Sequence, residues 1–128
     1  MALEILILQS SEQSKLSAHT IKLNGSLDTA TAPELERRLA PILAAPIRDL
    51  VFDLADLQFI SSAGLRVFAG ARKIVKARGG QASFIRMQPQ IAEVFAIIQS
   101  LPGVAVFKGV AELDEYLAAR QHSYGSNT

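Results

Sequence analysis

Asp49-Leu50-Val51-Phe52-Asp53-Leu54-Ala55-Asp56-Leu57-Gln58-Phe59-Ile60-Ser61-Ser62-Ala63-Gly64-Leu65-Arg66 is the stretch that decides the fold. Residues 49–54 hold a short apolar run between acidic residues, the pattern of a strand in a sheet covered on both faces. Residues 57–60 read as a short approach loop. Ser61-Ser62-Ala63-Gly64 then opens a helix. Leu65, Phe68, Ala71 and Val75 mark its inner face at helical spacing. Lys73, Lys76 and Arg78 load its last turns, where the helix dipole favours cations. Gly79-Gly80 ends it. A buried-type strand running into a helix is one arm of an α/β unit.

Outward from this stretch the same alternation continues. Residues 3–8 are aliphatic and read as a strand. Residues 18–23 alternate and read as its hairpin partner. Asn24-Gly25 reads as the geometry of a strand end, because the residues after it are poor strand material. Thr31-Ala32-Pro33-Glu34 has the shape of a capping box, with Thr31 as cap and Glu34 three residues on. Leu35, Leu39, Ile42 and Leu43 share one face of the helix that follows. Pro41 is expected to kink that helix or end it near Ala40. Residues 81–86 read as a strand. A helix from Pro89 carries Ile91, Val94, Phe95 and Ile98 inward, and Leu101-Pro102-Gly103 breaks it. Residues 104–107 read as a short strand, and Val110, Leu113 and Leu117 line a last helix. The expected order is ββαβαβαβα, a single α/β domain over residues 1–120 with a polar tail at 121–128. Its sheet is mostly parallel, with an antiparallel edge strand from the N-terminal hairpin and about four helices.

Composition narrows the function. The chain has 128 residues, 49% hydrophobic and 20% charged, which suits one globular domain. Thirteen Lys and Arg against twelve Asp and Glu give a formal charge of +1, so no global field draws it to nucleic acid or to an anionic membrane. With no cysteine, disulfides, thiolate metal sites and thiol catalysis are excluded. Two separate histidines, His19 and His122, make a histidine-built metal site improbable, and no cofactor is implied. The apolar start is too short to span a bilayer and lacks the basic flank of a secretory signal, so a cytoplasmic protein is expected. No serine sits in a G-x-S-x-G elbow, neither histidine has a carboxylate beside it in sequence, and there is no Walker loop. Asp53 with Asp56, and Asp114 with Glu115, read as a strand-end pair and a helix face. An enzyme is therefore not expected.

The two hydroxyls of Ser61 and Ser62 stand apart from this scaffold. They follow a strand and open a helix, at the end of the sheet where α/β folds bind ligands. A helix start favours negative charge, including a phosphate carried on its own serine. The plainer alternative is a helix cap contributing about 1 kcal/mol.

The segment Phe59-Ile60-Ser61-Ser62-Ala63-Gly64-Leu65-Arg66 resembles the signature of STAS domains, found in bacterial anti-sigma factor antagonists and sulfate-transporter tails. Asn24-Gly25-Ser26-Leu27-Asp28-Thr29-Ala30-Thr31 resembles the family's glycine-x-leucine-aspartate-x-x-threonine turn. The resemblance spans roughly residues 3–120. It implies a phosphoprotein in a partner-switching pathway of signal transduction and transcription regulation. A kinase-type anti-sigma factor would bind the chain and phosphorylate Ser62 from its own ATP, and a PP2C-type phosphatase would reset it. Ser61 is the alternative acceptor, since many antagonists have aspartate at that position. The resemblance further implies partner contacts from Asp28, Thr29, Thr31, Ser61, Ala63, Gly64 and Arg66, with Leu65 assigned to packing. A homodimer contact near the first helix stays open. The competing expectation is a constitutive docking subunit of a transporter or signalling assembly, with Ser62 only a cap.

Overall fold

The computed structural model describes residues 2–10, 17–45, 47–100 and 110–125. Strands β1 (Leu3–Ser10), β2 (Ser17–Leu27), β3 (Ile47–Ile60) and β4 (Gln81–Ile85) form one sheet in the order β1-β2-β3-β4. β1 runs antiparallel to β2, while β2–β3 and β3–β4 are parallel. Helices α1 (Ala32–Ala44), α2 (Ser62–Ala77), α3 (Pro89–Ser100) and α4 (Val110–Gly125) follow the expected order, but α4 runs on to Gly125 through the start of the expected tail, because Gln121 is buried against Ile60. The expected strand at 104–107 lies outside the described residues.

Alternation along the strands builds the core. Ile21, Leu23, Leu50, Phe52 and Leu54 turn inward and are buried. They meet Leu35, Leu39 and Ile42 of α1, Phe68, Ala71 and Val75 of α2, Ile91 and Val94 of α3, and Leu113 and Leu117 of α4. Phe52, Phe68, Phe84 and Phe95 form an aromatic cluster with centroids 4.8 Å apart for Phe52–Phe68 and 5.2 Å for the stacked pair Phe52–Phe84. Such ring pairs add stabilisation beyond the area they bury. The opposite side of the sheet does not match the expectation of two covered faces: Leu6 is 53% exposed and Leu8 45%.

Three local expectations are corrected. Residues 57–60 are not a loop, because β3 continues as a strand to Ile60, with Leu57, Phe59 and Ile60 opposite Gly25, Ser26 and Leu27. Likewise, Asn24-Gly25 does not end β2. The register shifts between Lys22 and Asn24 and again between Gly25 and Ser26, so the pair forms irregularities inside a longer strand. Gly25 has φ +117, and a Cβ there would lie 2.3 Å from the Ala2 carbonyl oxygen, so only glycine suits the position. Finally, α1 does not end near Ala40. Pro41 lies within it on the exposed side, and burial of Leu39 and Ile42 holds the turn that its missing N–H weakens.

Candidate functional site

The carboxyl ends of β2 and β3 carry the two sequence motifs, and the backbone ties them together: the Ser61 N–H donates to the Leu27 carbonyl at 2.9 Å. Beyond Asp53, β3 has no register partner in β4. Glutamine side chains bond its backbone there. Gln88 donates to the Ala55 carbonyl at 2.7 Å and Gln90 to the Gln58 carbonyl at 3.2 Å. Gln121 of α4 accepts from the Ile60 N–H at 2.8 Å and donates to the Ile60 carbonyl at 2.7 Å. The Gln121 bonds satisfy the buried backbone groups of Ile60 and fix the residue just before the two serines.

The two serines then diverge. Ser61, the N-cap of α2, is 5% exposed, and its Oγ finds no partner among the described residues. Its extended backbone makes no side-chain cap, although its carbonyl accepts from the Leu65 N–H at 3.0 Å. Ser62 is half-buried in the first turn. Its N–H donates to Asp114 Oδ1 at 2.8 Å and its Oγ–H to Asp114 Oδ2 at 3.0 Å. A carboxylate from α4 thus caps α2, where the helix dipole favours negative charge. The cap expected from Ser61 or Ser62 is supplied by a residue that the sequence assigns only to a helix face. No local motif marks Asp114, because its partner is 52 residues away.

The neighbouring turn is closed from within. Asp28 Oδ1 accepts from the N–H groups of Ala30 and Thr31, both at 3.0 Å. Thr31 Oγ1 accepts from the Asp28 N–H at 2.9 Å and donates to the Ser26 carbonyl at 2.8 Å. The reciprocal box therefore joins Asp28 to Thr31, one turn earlier than the expected Thr31–Glu34 pair, while Glu34 faces Arg37. Asp28 and Thr31 are committed to shaping the turn, and Thr29 stays exposed at its tip.

Gly64 and Arg66 point different ways. Gly64 is buried, and a Cβ there would lie 2.6 Å from Leu27 Cγ and 3.0 Å from Ile60 Cγ1, so α2 rests directly on the ends of β2 and β3. Arg66 is exposed. With Thr29, Pro33, Glu36 and Ala63 it lines a shallow cleft of about 300 Å³ between the starts of α1 and α2. The cleft leads to a groove of about 470 Å³ between the same helices, walled by Leu39, Leu43, Val67 and Ile74 and also bordered by Arg66.

Away from this end, Asp53 is buried and pairs with Arg86 through both carboxylate oxygens. The Arg86 guanidinium hydrogen bond holds the Asp53 carboxyl below its ordinary value, against the upward push of burial. Arg86 adopts φ +57, a left-handed conformation uncommon for a side chain of this size. Asp53 is thus a structural ion-pair member within β3. Among the described residues, no group of three or more His, Asp or Glu is placed to hold a metal, and no helix is long and apolar enough to cross a membrane.

The mixed sheet of the described residues, the glycine-seated helix and the serine at that helix's start fit a STAS domain. The chain belongs to that family: the STAS domain model matches residues 12–113. Among curated relatives, the anti-sigma-B factor antagonist of Bacillus subtilis (strain 168) is 34% identical over 77 residues, covering 60% of this chain and 70% of the relative. The anti-sigma-B factor antagonist of Staphylococcus aureus (strain NCTC 8325 / PS 47) is 29% identical over 79 residues, 62% of this chain and 73% of the relative. The anti-sigma factor antagonist SpoIIAA, solved in its unphosphorylated form, superposes with a TM-score of 0.58 at 18% identity. That match covers 75% of this chain and 83% of SpoIIAA, and it shows the shared fold.

Proposed function

We propose that this chain is an anti-sigma factor antagonist-type regulator, switched by reversible phosphorylation of Ser62. Its partner is a kinase-type anti-sigma factor that holds ATP, and the chain is that kinase's substrate rather than a catalyst. The γ-phosphoryl group passes to Ser62 Oγ, ADP leaves and the hydroxyl proton is released. A PP2C-type phosphatase hydrolyses the ester and restores the serine. The pathway operates in the cytoplasm.

The difference between the two serines carries this proposal. Ser62 presents a half-buried hydroxyl at a helix start, whereas Ser61 is enclosed. A phosphoserine brings about −1.5 to −2 charge at neutral pH, a large local change on a chain of formal charge +1. Thr29, Ala63 and Arg66 supply the rim of the docking face, and the adjacent apolar groove extends it. Asp28, Thr31 and Gly64 hold that face in shape. The relatives named as anti-sigma-B factor antagonists support a sigma-factor pathway, and SpoIIAA, distinguished by an unphosphorylated form, supports control by phosphate.

A pull-down from native lysate with wild type, Ser62→Ala and Ser62→Asp as baits tests the proposal. Wild type and Ser62→Ala are expected to retain an ATP-binding kinase-like protein that Ser62→Asp loses. Equal recovery of the same partners by all three baits would make Ser62 a cap and the domain a constitutive docking subunit.

A further inference from the structure

α4 is fastened to the β3–α2 corner at two points of different chemistry. Near its C-terminal half, Gln121 brackets Ile60 through neutral, buried hydrogen bonds and also donates to the Leu117 carbonyl at 3.1 Å. Near its start, Asp114 grips Ser62 with a charged carboxylate, and one of those two bonds uses the Ser62 hydroxyl itself. The first point is indifferent to the chemical state of Ser62. The second depends on it.

We propose that Asp114 is a phosphate-sensitive latch, holding the first turns of α4 on the start of α2 while Ser62 is a free alcohol and releasing them once Ser62 is phosphorylated. The proposal rests on Ser62 being the acceptor. In the transfer, a bond forms between Ser62 Oγ and the γ-phosphorus of ATP, the bond from that phosphorus to ADP breaks, and the Oγ–H proton passes by way of the Asp114 carboxylate to water. Oγ then has no proton to donate, and Asp114 Oδ2 loses its partner. The new phosphate stands beside a full negative charge, and like charges repel strongly where water is partly excluded. The N–H groups at the start of α2 favour one anion, and the tethered phosphate carries the greater charge. Asp114 is displaced and the turn around it loosens against the hold of buried Leu113, while buried Leu117 and Gln121 keep the rest of α4 in place.

The test needs no kinase. Phosphoserine is installed at position 62 by genetic encoding, and hydrogen exchange is followed by mass spectrometry in phosphorylated and unphosphorylated protein. Amides of residues 114–117, the first in α4 with intrahelical acceptors, are expected to exchange at least about tenfold faster in the phosphorylated protein, with the amides beyond the loosened turn unchanged, a local opening rather than global unfolding. Asp114→Asn in the phosphorylated protein should return residues 114–117 to slow exchange, because the amide is uncharged and can donate to the phosphate. Unchanged exchange on phosphorylation would overturn the latch, as would opening that Asp114→Asn does not reverse. Either result would leave the pull-down outcome for Ser62 standing, so failure of the latch and failure of the switch are separable.

Discussion

At the carboxyl end of the sheet, an aspartate three residues away closes the turn leading into α1, and an aspartate 52 residues away caps the start of α2. Asp28 reaches Thr31 inside a single turn and is repaid by the Thr31 hydroxyl, so the turn that leads into α1 is a self-contained box, and α1 itself has no side-chain cap. Asp114 reaches Ser62 from α4, so the cap of α2 exists only when the tertiary structure is complete. A local box needs no contact beyond its own turn. A remote cap can be removed without unfolding the helix it serves, which suits the place where a modification would act.

The comparison can be broken most forcefully at its shared base. Gly64→Ala drives a Cβ to 2.6 Å from Leu27 Cγ, a branch point that cannot swing aside. It should cost about 1–3 kcal/mol in urea unfolding through overpacking. It should also disturb both helix starts, since Leu27 leads into one turn and Ile60 into the other. Asp28→Ala should cost about 1–2 kcal/mol, because the N–H groups of Ala30 and Thr31 both lose their carboxylate acceptor. Asp114→Ala should cost only about 1 kcal/mol. Yet it should accelerate exchange at the start of α2 as well as in the first turns of α4, a reach across two distant elements that Asp28→Ala lacks. Equal and purely local effects from the two aspartates would erase the distinction.

Acid provides the smallest and most discriminating effect. The folded-state pKa of Asp53 is lowered by Arg86, so its contribution is present above the unfolded value of about 4 and is lost as pH falls below it. Asp53→Asn should therefore flatten the fall in Tm below about pH 5 relative to wild type. An unaltered acid limb would show that the Asp53–Arg86 pair does not set acid stability.

What the sequence revealed follows the same division between local and remote. The face of α2 was legible because Phe68, Ala71 and Val75 recur at helical spacing and are all buried. The place of Ser62 at a helix start was legible because the motif lies within a few residues. The continuation of β3 through residues 57–60 was hidden because it depends on bulges in the neighbouring strand, around Asn24 and Gly25. The true box at Asp28–Thr31 was displaced by a turn because Thr31-Ala32-Pro33-Glu34 offers the same spacing with a helix-starting proline. The survival of α1 past Pro41 rests on the burial of Leu39 and Ile42, which propensity alone does not count. Asp114 and Gln121 left no local signal, since each meets its partner only through the packing of α4 against the end of β3.

Phosphosite mapping of the chain purified from its native host, with phosphatases inhibited at lysis, tests the central claim most directly. Phosphate on Ser62 and none on Ser61 is the predicted result. Phosphate confined to Ser61, or no phosphate at either serine under any growth condition, would contradict it.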